Sequence, residues 1–117
     1  MSEQVKPVAG FPGYSVSNHG RVFSTIRGPV RQLKPWGCGN GYRYEQVKLV
    51  RIESDGTVKH HKRKVAHLVA LAFIGQRPAG HDVDHIDADT KNNRADNLRY
   101  LTINENRGQG TLRRKQA

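Results

Sequence analysis

The sequence predicts an α+β fold, in which a β-rich N-terminal half precedes a strand–loop–strand–helix unit. Three observations support this prediction. Residues 1–64 alternate short apolar runs with turn residues, which is typical of strands joined by tight turns. The apolar period then becomes helical over residues 65–74. Finally, two short predicted strands at residues 83–86 and 98–101 enclose a polar loop, and a helix-capping sequence follows the second strand.

The N-terminal half is predicted to consist of short strands and turns. The expected strands lie at residues 14–17, 21–24, 31–34, 42–50 and 58–62. Asn18-His19-Gly20 provides a turn between the first two strands, because glycine adopts positive φ without steric cost. Ser54-Asp55-Gly56-Thr57 is a strong hairpin turn before the last strand. The segment 36–41 is rich in glycine and is expected to be a turn.

The C-terminal half begins with a short helix that we expect to be part of the core. Its apolar residues recur at helical spacing, and Pro78 and Gly80 prevent it from continuing. Later in the chain, Thr102-Ile103-Asn104-Glu105 has the capping-box pattern and predicts a helix from about Ile103. These elements divide the chain into a β-rich region (1–64), a second region (65–107) and a basic tail (108–117).

The charge of the chain favours a polyanionic partner. Twenty Lys and Arg residues stand against ten Asp and Glu residues, which gives a formal net charge of +10. Such an excess of positive charge attracts nucleic acid, with an affinity that falls as salt rises. The single cysteine, Cys38, excludes an internal disulfide and a multi-cysteine zinc site, and fits a reducing cytosol. No apolar run approaches the roughly 20 residues of a membrane-spanning helix.

The end of the strand at residues 83–86 carries residues suited to phosphodiester hydrolysis. Neighbouring side chains on a strand point to opposite faces, so Asp84 can face a metal while His85 faces the attacking water. A histidine suits that water because its ordinary pKa is about 6.5. Packing the capped helix across the hairpin can bring Asn106 to Asp84, and both offer oxygen ligands to a hard cation. Asn97 can hold the base, either through a ring nitrogen or through the nearby backbone.

Other polar residues of this region leave alternatives open. Asp82, Asp87 and Asp89 are further candidate metal ligands, although Asp82 lies far from the strand end and Asp87 begins the loop. Asn92 and Asn93 are expected to stabilise the loop, since asparagine bonds its own backbone readily. For His67, a structural role that bonds the motif loop is favoured over a second base or a phosphate contact.

These residues resemble the HNH endonucleases, which have the ββα-metal nuclease fold, in the subgroup found in phage and intron-borne homing enzymes. The matching segments are residues 66–73 (AHLVALAF), 83–87 (VDHID), 91–94 (KNNR), the pair Asn97-Leu98, and Asn106. Upstream, residues 13–22 (GYSVSNHGRV) are similar to the modular domain often attached to these nucleases. Together the resemblance covers about residues 8–107.

The resemblance implies a role for each matching residue. Asp84 and Asn106 correspond to the metal ligands, His85 to the general base, and Asn97 to the asparagine that positions the base. It implies one Mg²⁺ or Mn²⁺ ion per active site and double-stranded DNA as the substrate. Candidate DNA contacts are the basic residues Arg21, Lys34, Arg43, Lys62, Arg63, Lys64 and Arg94.

The resemblance also bears on the context of the protein. We expect a monomer or homodimer without membrane contact, in the cytoplasm of a bacterial host if the protein is phage-encoded. Related homing enzymes often carry a further C-terminal helical module, which is not expected here, and three alternatives for specificity stay open: the β-rich N-terminal half reads DNA alone, the protein dimerises, or it is weakly specific. Two other interpretations stay open. One is a non-catalytic basic DNA-binding protein, and the other, ranked last, is an RNA-binding or RNA-cleaving protein.

Overall fold

The computed structural model describes residues 2–39 and 43–105 of the chain. Within these residues the strands form three antiparallel sheets around one α-helix. The first sheet has the order β1 (Val5–Pro7), β2 (Tyr14–Ser17), β3 (Val22–Ser24) and β4 (Arg31–Gln32). The second contains β5 (Trp36–Cys38), β6 (Tyr44–Ile52) and β7 (Val58–Lys64), and leads into α1 (Val65–Phe73). The third is the hairpin of β8 (His81–His85) and β9 (Leu98–Thr102), and a 3₁₀ helix at Ala95–Asn97 lies between the two strands, directly before β9.

The long β6–β7 hairpin has one buried face and one exposed face. Val47 and Leu49 are fully buried, whereas Lys48 between them is exposed and pairs with Lys62 of β7. This alternation follows from the period of two in a strand. The turn after β6 adopts the predicted hairpin form, with Gly56 at φ +86°.

Helix α1 lies at the centre of the hydrophobic core. Its buried face includes Val65, Leu68 and Val69, and the same cluster contains Val16 of β2 and Leu98 of β9. Burying each such side chain contributes roughly 1.5–3 kcal/mol. The core therefore joins both halves of the chain, and the predicted α+β class is confirmed.

A tyrosine ties the first sheet to the second. The buried Tyr14 of β2 accepts a hydrogen bond at its hydroxyl oxygen from the backbone N–H of Val50, at 2.9 Å. A buried tyrosine normally finds such a partner for its hydroxyl group.

No helix in residues 2–39 and 43–105 is long and apolar enough to cross a membrane.

Several predicted boundaries were wrong. Residues 36–38 form strand β5 instead of a turn, because β6 pairs with them from Trp36↔Gln46 to Cys38↔Tyr44. Strand β1 was not predicted, and all three of its residues are exposed, so they show no alternating pattern. Strand β8 covers His81–His85, and Ile86 lies outside it, with its N–H bonded to the Asn97 carbonyl.

Candidate active site

The β8–β9 hairpin places Asp84 and His85 at the end of a strand, as the sequence predicted. Asp84 pairs with Arg99 across the hairpin, and His85 pairs with Leu98. Both Asp84 and His85 are buried, with 2% and 5% of their surface exposed. Because an unpartnered buried polar group is costly, the contacts of these two side chains define the chemistry of the site.

Asn97 organises the loop that follows His85. Its side-chain oxygen accepts from the Asp87 N–H at 3.1 Å, and its amide nitrogen donates to Asp87 Oδ1 and to the Asn92 carbonyl, both at 2.9 Å. Its backbone carbonyl accepts from the Ile86 N–H at 2.8 Å. Asn97 therefore holds the backbone around the strand end, which is the second of the two modes considered from the sequence.

Asp87 stabilises the loop through hydrogen bonds to its carboxylate. Hydrogen bonds from the Asn92 amide, the Asp89 N–H and the Asn97 amide hold the pKa of Asp87 below its ordinary value. The expected loop role of Asn92 agrees with its 2.9 Å bond to Asp87 Oδ2. Asp89 in turn accepts from the Lys91 N–H.

The side chain that binds the ring of His85 is Asn93. His85 Nε2 lies 2.9 Å from Asn93 Oδ1, and Asn93 is itself 4% exposed. The Asn93 amide nitrogen donates to Glu45 Oε1 of β6 at 3.3 Å. Because an ionised carboxylate accepts and does not donate, this contact places the amide nitrogen of Asn93 towards Glu45 and its oxygen towards His85. A neutral imidazole that donates to this oxygen carries its proton on Nε2 and its lone pair on Nδ1.

Arg99 compensates the charge of Asp84. Its Nε donates to Asp84 Oδ2 at 2.9 Å from the neighbouring strand. A buried carboxylate needs such a partner, since desolvation of an isolated charge costs several kcal/mol. The sequence reasoning did not identify Arg99, although a cross-strand pair follows once the register of β8 and β9 is known.

The oxygen chemistry of Asp84 fits a hard divalent cation. Asn106, the second predicted metal ligand, lies outside the described residues. In the part of the chain that the structure describes, no group of three or more His, Cys, Asp or Glu side chains is placed to hold a metal. A site with few protein ligands suits Mg²⁺, which usually keeps several waters and substrate oxygens in its shell.

Asp82 and His67 form a separate contact. His67 Nε2 lies 3.6 Å from Asp82 Oδ1, and Arg77 Nη1 lies 3.8 Å from the same oxygen. Burial lowers the pKa of His67, and the carboxylate of Asp82 opposes that shift. His67 therefore contacts strand β8, whereas the sequence favoured a contact with the motif loop.

The capping box after β9 is formed. Glu105 N–H donates to Thr102 Oγ1 at 3.1 Å, and the Thr102 N–H donates to Glu105 Oε1 at 3.2 Å. Residues 103–105 are helical, so the predicted helix begins at Ile103. The hydrogen bond from the Thr102 hydroxyl holds the pKa of Glu105 below its ordinary value.

Comparison with known proteins agrees with this arrangement. Residues 63–107 match a family model described as HNH endonuclease, and residues 3–49 match the NUMOD4 motif. The chain thus carries an HNH endonuclease segment behind a NUMOD4 motif. The NUMOD4 segment confirms the predicted N-terminal modular domain.

Two HNH proteins illustrate the similarity. The chain is 31% identical over 102 residues to the uncharacterized HNH endonuclease L247 of Acanthamoeba polyphaga mimivirus, a match that covers 86% of this chain and 23% of that protein. It also resembles a solved structure of the HNH homing endonuclease I-HmuI, described as DNA binding and cleavage by that enzyme, with a TM-score of 0.75 and 30% identity. That match covers 94% of this chain and 59% of the I-HmuI chain. The chain thus spans less than two thirds of either relative.

The basic residues predicted to contact DNA do not share one surface. Lys62 and Lys64 lie on the exposed face of the β6–β7 hairpin with Lys48, and we call these three lysines the basic face. Lys64 Nζ lies 4.3 Å from the centre of the Tyr44 ring, which in turn lies 6.4 Å from the His85 ring. The basic face therefore leads to the HNH site.

The other five predicted DNA contacts have different surroundings. Arg63 points to the opposite face, where its guanidinium carbon lies 5.4 Å from the Phe11 ring centre. Arg21 pairs with Glu3 at 3.5 Å. The remaining three are Arg94, which pairs with Asp96 at 3.6 Å, and Lys34 and Arg43, which are exposed. Their roles in DNA binding stay predictions.

Proposed function

We propose that this protein is a divalent-metal-dependent endonuclease that hydrolyses phosphodiester bonds in duplex DNA. The observation that carries the proposal is the buried hydrogen bond between His85 and Asn93, beside the buried carboxylate of Asp84. The family match and the DNA cleavage described for I-HmuI support DNA as the substrate.

His85 is the proposed general base. With its Nε2 proton bonded to Asn93, its Nδ1 lone pair takes a proton from the attacking water. The water oxygen forms a bond to phosphorus while the bond to the 3′ oxygen breaks, and the 3′ oxygen takes up a proton from solvent, which leaves 5′-phosphate and 3′-hydroxyl ends. General-base assistance of this kind typically contributes about 10²–10⁴ in rate.

Asp84 and Asn106 are the residues proposed to hold one Mg²⁺ or Mn²⁺ ion. When bound, such an ion supplies stabilisation of the negative charge on the phosphate and the leaving oxygen. Arg99 holds Asp84 in place through the 2.9 Å bond to Oδ2. Asn97 keeps the strand end and the loop in register through its contacts with Asp87 and Asn92.

The basic face is proposed to bind the DNA backbone next to the site. Its lysines are close together on one hairpin, and the net charge of +10 favours a polyanion. Contacts of this kind position the duplex without reading its sequence.

A supercoiled-plasmid assay tests the proposal. We expect relaxed or linear product with Mg²⁺ or Mn²⁺, none with EDTA, and none from His85→Ala, which should still bind DNA. The ratio of nicked to linear product separates action as a monomer from action as a homodimer. DNA binding that ignores EDTA, with no cleavage under any divalent ion, would instead favour a non-catalytic DNA-binding protein.

A further inference from the structure

Glu45, Asn93 and His85 form a continuous series of hydrogen bonds between the two matched segments. Glu45 belongs to β6 within the NUMOD4 segment, and it accepts from Asn93, 48 residues later in the chain. Asn93 then accepts from His85 Nε2 through a buried bond of 2.9 Å. The NUMOD4 segment thus reaches the ring of the proposed base through one asparagine.

We propose that Glu45 is a positioning residue that fixes the Asn93 amide and thereby keeps the His85 proton on Nε2. The inference rests on the proposed function, in which Nδ1 of His85 receives the proton of the attacking water. It assigns part of the active site to the NUMOD4 segment, separate from any contact that this segment makes with DNA.

The physical reason lies in the shape of an amide. Its oxygen and its NH₂ group have nearly the same size, so Asn93 fits the same space in two orientations that differ by a flip. In one, the oxygen faces Nε2 of His85 and stabilises the Nε2–H tautomer. In the other, the NH₂ group faces Nε2 and favours the Nδ1–H tautomer, which has no lone pair on Nδ1. A carboxylate at Glu45 selects the first orientation, because it only accepts hydrogen bonds.

The loop that carries Asn93 is also held by the N-terminal half. The Asn18 carbonyl, in the turn after β2, accepts from the Ala95 N–H at 2.8 Å. The Arg43 carbonyl, just before β6, accepts from the Thr90 hydroxyl. Because the backbone is held on both sides of Asn93, loss of the Glu45 carboxylate is expected to let the Asn93 amide flip without displacing the loop.

The test compares three full-length variants with the wild type. Glu45→Ala removes the acceptor. Glu45→Gln retains an oxygen that can accept the same bond but adds an NH₂ group that can donate, so it tests whether an acceptor-only group is required. Glu53→Ala is the matched control, since Glu53 lies on the same hairpin and pairs with Arg51 at 3.2 Å. For each protein we would measure kcat and KM for plasmid cleavage, DNA affinity, and the tautomer of the neutral His85 ring by ¹⁵N NMR, with His85→Ala to assign the signal.

We expect the wild type to show the Nε2–H tautomer. Glu45→Ala should show a mixture of tautomers and a kcat lower by roughly tenfold, a part of the general-base contribution, with KM and DNA affinity unchanged. Glu45→Gln should lie between the wild type and Glu45→Ala in both properties, and Glu53→Ala should match the wild type.

Three results would overturn the inference. The first is an Nδ1–H ring in the wild type, which decides the matter even if Glu45→Ala does not fold. The second is wild-type kcat in Glu45→Ala. The third is a loss of kcat without any change of tautomer, since that would indicate a merely structural role. If the wild type cleaves no DNA, the proposed function fails, and the tautomer comparison still decides the role of Glu45.

Discussion

Gly20 lies directly against the backbone of Asn93. A Cβ atom built on Gly20 would be 3.0 Å from the Asn93 carbonyl oxygen and 3.1 Å from the Asn93 Cβ. Gly20 also has φ +88°, a region that side-chain-bearing residues seldom adopt. The turn between β2 and β3 therefore requires glycine for two reasons, and one of them concerns the residue that binds His85.

Gly20→Ala is expected to impair both stability and cleavage. The positive φ alone costs about 1–2 kcal/mol for an alanine, and the close contact should displace Asn93 from His85. Chemical denaturation and the plasmid assay measure the two effects. The matched control is Gly56→Ala, where φ is +86° but nothing lies within 4 Å of the added Cβ. Equal stability loss and equal cleavage in the two variants would show that the contact with Asn93 is unimportant.

Asn97→Ala is expected to destabilise the protein by about 2–3 kcal/mol, because three side-chain hydrogen bonds are lost at a buried position. Cleavage should fall with it, since the loop no longer holds the strand end at His85. Asn92→Ala is the comparison, as it removes a single side-chain bond to Asp87 and should cost about 0.5–1.5 kcal/mol. Urea unfolding of both variants measures the difference, and equal costs would contradict the central role of Asn97.

The hydrogen bonds to the Asp87 carboxylate should make the stability of the protein fall at acidic pH. The pKa of Asp87 is lower in the folded protein than in the unfolded chain, because Asn92, the Asp89 N–H and Asn97 donate to its carboxylate. The stability that ionised Asp87 contributes is thus fully present above the pKa of the unfolded chain, which is about 3.9. It is lost as the pH falls through the pKa of Asp87 in the folded protein. Asp87→Asn should therefore lose less stability than the wild type between about pH 5 and pH 2.

The measurement for Asp87 is thermal unfolding across that pH range. Asp96→Asn removes the same charge from an exposed position in the 3₁₀ helix and controls for net charge. If the unfolding temperatures of the wild type and Asp87→Asn fall in parallel as the pH is lowered, the hydrogen bonds to this carboxylate do not contribute to the pH dependence of stability.

Lys62→Ala and Arg63→Ala should behave differently although they are neighbours. Loss of Lys62 from the basic face should weaken DNA binding and reduce the slope of log Kd against log salt by about 1. Arg63 packs over Phe11, so its loss should cost about 0.5–1 kcal/mol of stability. Salt titrations of DNA affinity, with unfolding curves alongside, separate the two. A larger change of salt slope for Arg63→Ala would place the DNA on the opposite face of the hairpin.

Local patterns in the sequence predicted the elements that depend on local physics. The apolar spacing of residues 65–74 identified helix α1, and the Thr102–Glu105 capping box gave the start of the next helix. The strand that carries Asp84 and His85 was also predicted, although its end was placed one residue too late, at Ile86. Strands β1 and β5 were missed, because they are edge strands with little buried apolar surface.

Long-range contacts explain what the sequence left out of the site. Asn93 and Asn97 occupy the same polar loop, and their composition gives no reason to assign one to the ring and the other to the backbone. The fold separates them, since Asn93 faces Glu45 of the second sheet while Asn97 faces the loop itself. Glu45 lies so far from His85 in the chain that no motif spacing connects the two.

The hydrophobic core shared by the NUMOD4 and HNH segments restricts how these segments can be exchanged in evolution. The NUMOD4 match ends at residue 49, and the HNH match begins at residue 63. Val47 and Leu49 of the first segment nevertheless pack in the same hydrophobic cluster as Val69 and Leu98 of the second. A gene that acquired only one of these segments by recombination would encode only part of this hydrophobic core. In this protein we therefore expect that either segment can be replaced only by a segment whose apolar surface matches that of the other.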